Sequence, residues 1–465
     1  MLRQIIQCLL IYVLQQSCNG FLFNEFKRED DEINMDAVKS DNRMERFKSF
    51  SYTVRYRGST NEPGQTVSVI TEGNRVITAY IYSQKFQLIA SKGYPVEQHN
   101  TLTADNYRLT LFRIPHGRHR NNGAIQSQPS KLKPIVFLQH GLLSSCTCWL
   151  TNLANQSFAY LLADAGYDVW LGNFRGNTYS RAHATLQPSD PEYWDFSWSD
   201  MAQYDLPAMI EYALGVSGAN QLYYIGHSEG TLVGFTGFAS NHTLASRIAH
   251  FFALAPVGYV GHIKGPLLYV SKHYKLFYRT LNFFGAREFL PSNMISKLSG
   301  KFFCGILPHN ALCQEFIFMI AGYDSTQLNN SRIPVYLAHT PAGTSVKNMA
   351  HFAQMVLSKR CCKFNYRSGV ANMKKYNQTS PPEYQLESLK VPVTLFYGLM
   401  DWLSDPTDVY ILISKIEPQI HKLFPLQNFN HLDFVWGMRA ADAVYRPIIN
   451  EIRHLESENM TFLNL

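Results

Sequence analysis

The stretch "QLYYIGHSEGTLVGFTGFAS", from Gln221 to Ser240, joins an apolar β-prone segment to a run of small and apolar residues typical of a helix. Ser228 lies at the junction, between Gly226 and Gly230, in the pattern G-x-S-x-G. A serine on a sharp strand-to-helix turn is exposed at the end of a sheet, and glycine on either side of it removes side chains that would collide with the strand and the helix. We therefore predict that Ser228 is a nucleophile; a helix N-cap is the structural alternative.

Apolar segments of strand length alternate with segments of helical periodicity around this turn. NYRLTLFRI alternates polar and apolar residues, as a half-buried strand does, whereas KPIVFLQ and YDVWLGN are continuous apolar runs typical of strands buried on both faces. LYYIGHS, HFFALAPVG, VPVTLFYG and HKLFPLQN supply further strands, and QSFAYLLADAG and DLPAMIEYALGVSG have helical spacing and end at glycine. This alternation predicts an α/β fold with a mainly parallel, doubly wound sheet.

The alternation stops between about Gly258 and Val391, where the chain is aromatic and rich in helical patterns. Its clearest element, YVSKHYKLFYRTLNFF, predicts one amphipathic helix. The apolar face of this helix comprises Val270, Tyr274, Phe277, Leu281 and Phe284, and the opposite face carries Lys272, Lys275 and Arg279. Such a helix packs on a core, or it covers an apolar site and contacts lipid.

A serine nucleophile also needs donors that hold the oxyanion formed during ester cleavage. One donor in this chemistry is the backbone N–H of the residue after the nucleophile, here Glu229, and a second comes from a loop after an earlier strand. IVFLQHGLLSS supplies such a loop, in which Gly141 allows a tight turn and the Leu142 N–H can face the site. An ordinary glycine turn at a strand end is the alternative.

The base and the acid that orients it are expected in the chain order Ser, acid, His. Asp401 lies just past the strand predicted in VTLFYG, and His431 follows the last predicted strand. Asp405 and Asp408 compete for the acid role, but they lie further into the next predicted helix. We predict a catalytic triad of Ser228, Asp401 and His431.

The N-terminal residues predict entry into the secretory pathway, and hence a secreted or lysosomal protein. Residues 1–20 have a positive start, an apolar stretch and small residues at the end, as a cleaved secretory signal does. A signal anchor or a buried helix is the alternative; the apolar run is short for a span of about 20 residues, so no stable transmembrane anchor is expected. Residues 21–75 are charged, and we predict a disordered extension, a propeptide or a loosely attached arm, with a short surface helix as the alternative.

A secreted chain can form disulfides and carry N-linked glycans. Cys304 and Cys313 enclose a short loop and are the expected pair, with buried free thiols as the alternative. Adjacent Cys361 and Cys362 are not expected to bond to each other, because vicinal geometry is strained. Candidate glycosylation sites lie in the N-x-S/T sequons at Asn155, Asn241, Asn329, Asn377 and Asn459.

Composition excludes several other classes of function. The net charge of +7 is spread along the chain without a dense Lys/Arg block, so no nucleic acid partner is expected. No His/Cys/Asp cluster has metal-ligand spacing such as HExxH, so neither a metal nor a cofactor is expected.

Several motifs resemble those of the acid lipases of the gastric and lysosomal type. They are GYPVEQHNTLTADNYRLTLFRIPHGR, FLQHGLLSS, LADAGYDVWLGNFRGNTYSR, YDLPAMIEY, YIGHSEG, ALAP, AGTSVKNM and FNHLDFVWGM, in colinear order from about residue 88 onward. The resemblance implies an α/β-hydrolase core over 76–258 and 387–465, with a cap over 259–386. It also implies the triad and oxyanion roles given above, and Cys304 and Cys313 match the family's cap disulfide in spacing.

The resemblance further implies a lipase that hydrolyses triacylglycerols or cholesteryl esters at a lipid–water interface. A carboxylesterase for smaller soluble esters and a non-enzymatic lipid-binding protein on the same scaffold are the alternatives. Two features depart from the family: Glu229 replaces the usual glutamine after the nucleophile, and the charged stretch over 21–75 has no counterpart there.

Overall fold

The computed structural model of the chain describes residues 53–55, 67–71, 75–79, 88–118, 133–290 and 327–463. The predicted signal over 1–20 and the predicted pair of Cys304 and Cys313 lie outside these residues, as does the side chain of Asn459.

The core of the fold is one large mixed sheet. The described strands are β1 Thr53–Arg55, β2 Val67–Thr71, β3 Arg75–Ala79, β4 Glu97–Leu102, β5 Tyr107–Ile114, β6 Ile135–Gln139, β7 Asp168–Leu171, β8 Ala182–His183, β9 Leu222–His227, β10 Ile248–Leu254, β11 Glu288–Phe289, β12 Thr344–Ser345, β13 Val393–Gly398 and β14 Ile420–Leu426. The sheet order is β14-β13-β10-β9-β6-β7-β5-β4-β1-β2-β3, with β8 beside β5, while β11 and β12 pair with each other. From β14 to β7 all strands are parallel, which confirms the predicted α/β fold with a mainly parallel central sheet.

Helices pack on both faces of this sheet, and some of them pack mainly on one another. They are α1 Phe158–Asp164, α2 Leu206–Ser217, α3 Glu229–Ser240, α4 His242–Ala245, α5 Pro266–Lys272, α6 Tyr274–Phe283, α7 Ile333–His339, α8 Val346–Ser358, α9 Gly369–Tyr376, α10 Pro406–Ile416, α11 Asp433–Trp436 and α12 Arg446–Leu463. Side chains of β6 alternate between the faces: Phe137 packs in the core with α2 and α3, whereas Val136 and Leu138 pack in the core with α1 and α12. None of these helices combines the length and the apolar character that crossing a bilayer requires.

Two strands lie inside the charged segment 21–75 that the sequence predicts to be loose. Strand β1 pairs with β2 and with β4 in antiparallel register and so extends the sheet. Residues 53–55 and 67–71 therefore have regular structure, while the role predicted for the segment stays a prediction. Backbone N–H and C=O groups form the ladder between antiparallel strands, so a charged sequence is compatible with pairing at this side of the sheet.

The predicted amphipathic helix is divided into α5 and α6 at His273, whose φ of −105° and ψ of 9° leave the helical region. Tyr274 and Leu281 are buried as expected, whereas Phe284 is exposed, because it lies beyond the end of α6 and outside its periodicity. Leu276 and Phe283 of α6 are more exposed than Phe284, with 67% and 84% of their surface accessible to solvent.

Candidate active site

The site lies at the carboxyl ends of four parallel strands. Ser228 follows β9, the loop from His140 follows β6, Asp401 follows β13 and His431 follows β14. Because parallel strands end at the same edge of a sheet, residues far apart in the chain meet there. This edge is where open α/β sheets bind their ligands.

Ser228 joins β9 to α3 through a strained backbone. Its φ is 54° and its ψ is −118°, a region that residues with a Cβ rarely adopt. Its N–H donates to the Leu254 carbonyl oxygen at 3.1 Å, and its own carbonyl accepts from the Thr231 N–H at 2.8 Å. The turn therefore holds the Ser228 hydroxyl at the edge of the sheet.

Gly226 and Gly230 lie in the positions where a side chain would obstruct this turn. A Cβ on Gly226 would stand 2.8 Å from the carbonyl oxygen of Gly230, and a Cβ on Gly230 would stand 2.6 Å from the carbonyl oxygen of Gln139. Both obstacles are backbone atoms, which cannot move aside as a flexible side chain can. The close approach of β9, α3 and the end of β6 therefore requires glycine at both positions.

The structure brings Ser228, His431 and Asp401 together. The His431 Nε2 atom lies 2.7 Å from Ser228 Oγ, and His431 Nδ1 lies 2.9 Å from Asp401 Oδ2. In this arrangement the serine hydroxyl donates to Nε2 and the Nδ1–H donates to the carboxylate. It is the geometry of a nucleophile, its base and an acid that orients the base.

Asp401 is buried and held by the backbone that follows it. Its Oδ1 accepts from the N–H groups of Leu403 and Ser404, both at 2.8 Å. The competing carboxyls are engaged elsewhere: Asp405 pairs with Lys264 at 2.7 Å, and Asp408 accepts from the His262 ring at 2.7 Å. Among these three, only Asp401 contacts His431.

His227 positions His431 by contacting its backbone. This role was not predicted from the sequence. The His227 ring Nε2–H donates to the His431 carbonyl oxygen at 2.9 Å. Burial, reinforced by the neighbouring His431 ring, lowers the pKa of His227 to about 3, so the ring is neutral. His227 is the first x of the G-x-S-x-G pattern, so the motif contains the residue. The motif does not reveal the contact, because His431 lies 204 residues away in the chain.

The loop after β6 passes directly over Ser228, since a Cβ on Gly141 would stand 2.8 Å from Ser228 Cβ. His140 anchors this loop: its Nδ1–H donates to the Gly141 carbonyl at 2.8 Å, and its Nε2 accepts from the Phe174 N–H at 3.1 Å. Burial lowers the pKa of His140 to about 4, which keeps the ring neutral for both roles.

Two backbone N–H groups near Ser228 are candidate oxyanion donors. In the part of the chain that the structure describes, neither the Leu142 N–H nor the Glu229 N–H makes a hydrogen bond. Leu142 is half-buried and belongs to the loop over Ser228, and Glu229 begins α3. These are the two residues predicted to hold an oxyanion, and that role stays a prediction.

Glu229 is buried, and its Oε1 accepts from the Asn348 side-chain amide of α8 at 2.7 Å. Burial raises the pKa of Glu229 to about 7; the Asn348 hydrogen bond opposes this rise and the charge of Asp205 adds to it. Asn348 lies within the AGTSVKNM motif, but no role for it was predicted from the sequence.

The remaining predicted sites are described in part. The side chains of Asn155, Asn241 and Asn377 are exposed and that of Asn329 is half-buried, so their glycosylation stays a prediction. The cysteines in the described ranges are buried and form no disulfide with one another, namely Cys146, Cys148, Cys361 and Cys362. Within the same ranges, no group of three His, Cys, Asp or Glu side chains is placed to hold a metal ion.

Comparison with known proteins agrees with this geometry. Residues 134–438 match the family model described as alpha/beta hydrolase fold, and residues 86–153 match the one described as partial alpha/beta-hydrolase lipase region. The chain is 46% identical to Lipase lipl-1 of Caenorhabditis elegans, over 79% of this chain and 91% of that protein. It is 43% identical both to human gastric triacylglycerol lipase and to human lysosomal acid lipase/cholesteryl ester hydrolase, over 79% of this chain and 90% of each relative. A crystal structure of a Sulfolobus solfataricus protein shares the fold, with a TM-score of 0.50, 13% identity, and coverage of 78% of this chain and 95% of that one.

Proposed function

Because the chain belongs to the family of gastric and lysosomal acid lipases within the α/β-hydrolase fold, we propose that it hydrolyses the carboxylic esters of neutral lipids through Ser228, His431 and Asp401. One observation carries this proposal: the unbroken chain of hydrogen bonds from Ser228 Oγ through the His431 ring to the Asp401 carboxylate. A serine hydroxyl is a weak nucleophile, and an adjacent oriented base is what activates it.

The reaction proceeds through an acyl-enzyme. His431 Nε2 takes the hydroxyl proton as Ser228 Oγ attacks the ester carbonyl carbon, and Asp401 stabilises the imidazolium that forms. The imidazolium then protonates the alcohol oxygen as its bond to the acyl carbon breaks. A water molecule attacks the acyl-enzyme in the same way, which releases the fatty acid and returns the proton to Ser228.

The N–H groups of Leu142 and Glu229 hold the oxyanion of each tetrahedral intermediate. Their lack of an acceptor within the described residues supports this role, because both donors are free for a substrate oxygen. Loss of one such donor costs about 2.7–4 kcal/mol of transition-state stabilisation.

The substrates proposed are triacylglycerols and cholesteryl esters, the ester classes that appear in the names of the two human relatives. Helix α6 supports access to them from a lipid–water interface. It exposes Leu276 and Phe283 beside the exposed charges of Lys275 and Arg279. Apolar side chains that reach into lipid, flanked by cations, are typical of a helix that lies on a membrane or droplet surface.

We also propose that the chain is secreted or lysosomal. The apolar start of residues 1–20 and the relatives of the gastric and lysosomal type support this location.

The test compares the wild-type protein with Ser228→Ala on emulsified triolein, cholesteryl oleate and soluble tributyrin. The matched control is Ser414→Ala, which removes an exposed hydroxyl from α10. We expect Ser228→Ala to lose about 10⁴-fold or more of its activity on every substrate, and Ser414→Ala to retain it. Turnover of tributyrin alone would assign the chain to the carboxylesterases, and unchanged turnover in Ser228→Ala would refute the assignment of the nucleophile.

A further inference from the structure

Glu229 is the residue that follows the nucleophile in the chain, and its carboxyl group is withdrawn from water. Glu229 follows Ser228 directly, and the side chain extends from the residue whose N–H is proposed to hold the oxyanion. Only 2% of the residue's surface is exposed. Any charge on this carboxyl therefore acts on the oxyanion through protein rather than through water. Electrostatic effects are larger through protein than through water.

The hydrogen-bond partner of Glu229 is neutral and fixed in its orientation. Asn348 Nδ2 donates to Glu229 Oε1 at 2.7 Å, while Asn348 Oδ1 accepts from the Trp198 N–H at 2.7 Å. The same Nδ2 also donates to Thr344 Oγ1 at 3.1 Å. Because the Trp198 N–H can only donate, it fixes Asn348 Oδ1 on its own side and Nδ2 toward Glu229. An amide N–H can donate to the carbonyl oxygen of a neutral carboxylic acid as well as to a carboxylate oxygen, so this contact does not require a charge on Glu229.

No cation of the described structure forms an ion pair with Glu229. The charged groups on the elements packed against α3 are engaged with other partners. Arg175 pairs with Asp205 and Asp105, Lys347 pairs with Asp195, Asp200 accepts from the Ser197 N–H, and Lys415 pairs with Glu387.

The histidines around Glu229 add no positive charge either. Burial lowers the pKa of His140 to about 4, and those of His227 and His351 to about 3. An ionised Glu229 would thus be a buried charge without a counter-ion, which is strongly unfavourable.

We propose that Glu229 is a positioning residue that must carry its proton for ester hydrolysis, so that ionisation of this one carboxyl switches the enzyme off as the pH rises. The inference rests on the proposed function. The protonated carboxyl is neutral, as a glutamine amide of the same shape is, whereas the carboxylate adds a buried negative charge to the residue whose N–H holds the oxyanion and opposes its formation.

The sign of the pH effect follows from the pKa of Glu229, which burial raises to about 7. Below this pH the carboxyl is neutral and the oxyanion forms unopposed. Above it the active fraction falls about tenfold per pH unit. Glu229 therefore sets the alkaline limb of the pH profile.

The test is the pH profile of kcat/KM for wild type and Glu229→Gln, from about pH 5 to about pH 9. The substrate is p-nitrophenyl butyrate, read at the isosbestic wavelength of nitrophenol. We expect Glu229→Gln to lose the alkaline limb and to exceed wild type about tenfold at one pH unit above the wild-type midpoint. The matched control Glu387→Gln removes an exposed carboxyl that packs beside α3, and its alkaline limb should equal that of wild type.

An alkaline limb in Glu229→Gln that coincides with that of wild type would overturn the proposal. So would a Glu229→Gln protein that fails to fold, because a site that needs the protonated carboxyl must accept an amide of the same shape. Failure of the proposed function is a different result: the wild-type protein would then turn over no ester at any pH.

Discussion

The Nε2 atom of His431 lies 2.7 Å from the Oγ atom of Ser228, although 203 residues separate the two in the chain. Two unrelated features produce this contact. The strained turn between β9 and α3 presents the hydroxyl, and the hydrogen bond from the His227 ring to the His431 carbonyl fixes the backbone that carries the imidazole. Hydrolysis depends on the contact between these two atoms.

Removing the charge of Asp401 should disable His431 without disturbing the fold. We predict that Asp401→Asn lowers kcat by about 10⁴-fold, because the amide favours the wrong imidazole tautomer. Asp408→Asn is the matched control, since that carboxyl accepts from His262 rather than from His431. Steady-state kinetics on a soluble ester measure the loss; near-normal activity in Asp401→Asn would show that another group orients His431.

A methyl group on Gly230 should not be tolerated. Its Cβ would stand 2.6 Å from the Gln139 carbonyl oxygen, so Gly230→Ala should destabilise the fold by about 3 kcal/mol. Gly215→Ala is the control, because a Cβ on Gly215 of α2 meets nothing within 4 Å. The helical control should gain about 0.5–1 kcal/mol. Chemical denaturation measures both; equal stability of the two variants would contradict the close approach of α3 and β6.

The ring of His227 should matter for rate more than for stability. His227→Ala leaves the His431 carbonyl without its donor, and we predict a fall in kcat/KM of about tenfold. His227→Gln restores a donor and should recover part of the rate. A His227→Ala enzyme as active as wild type would show that this carbonyl does not need the contact.

The exposed apolar residues of α6 should affect activity only on substrates at a lipid–water interface. We predict that Leu276→Ser with Phe283→Ser lowers activity on emulsified triolein about tenfold and leaves activity on dissolved tributyrin unchanged, because less apolar surface reaches the lipid. Val370→Ser on α9, which replaces a side chain 82% exposed, is the matched control. An equal loss on both substrates would indicate damage to the active site instead.

The sequence was sufficient for those parts of the site that depend on local pattern. Ser228 between two glycines, and acidic and histidine residues just past predicted strands, are short-range features, and the family and fold that they indicated are confirmed. Contacts between segments far apart in the chain could not be predicted from the sequence. The hydrogen bond from Asn348 to Glu229 joins residues that are 119 positions apart in the chain. No periodicity in the sequence indicates that an asparagine of α8 contacts the residue after the nucleophile.

One local prediction failed for an identifiable reason. The division between α5 and α6 at His273 interrupts an apolar pattern that continues across it, so periodicity alone predicted one helix.

Covalent labelling of the nucleophile tests the central claim most directly. The protein is treated with an alkyl fluorophosphonate, digested, and mapped by peptide mass spectrometry, alongside His431→Ala as a protein in which the base is missing. We predict a phosphonyl adduct on Ser228 that forms in step with the loss of ester hydrolysis and is abolished in His431→Ala. An adduct on a different residue, or complete labelling of Ser228 with hydrolysis intact, would contradict the account.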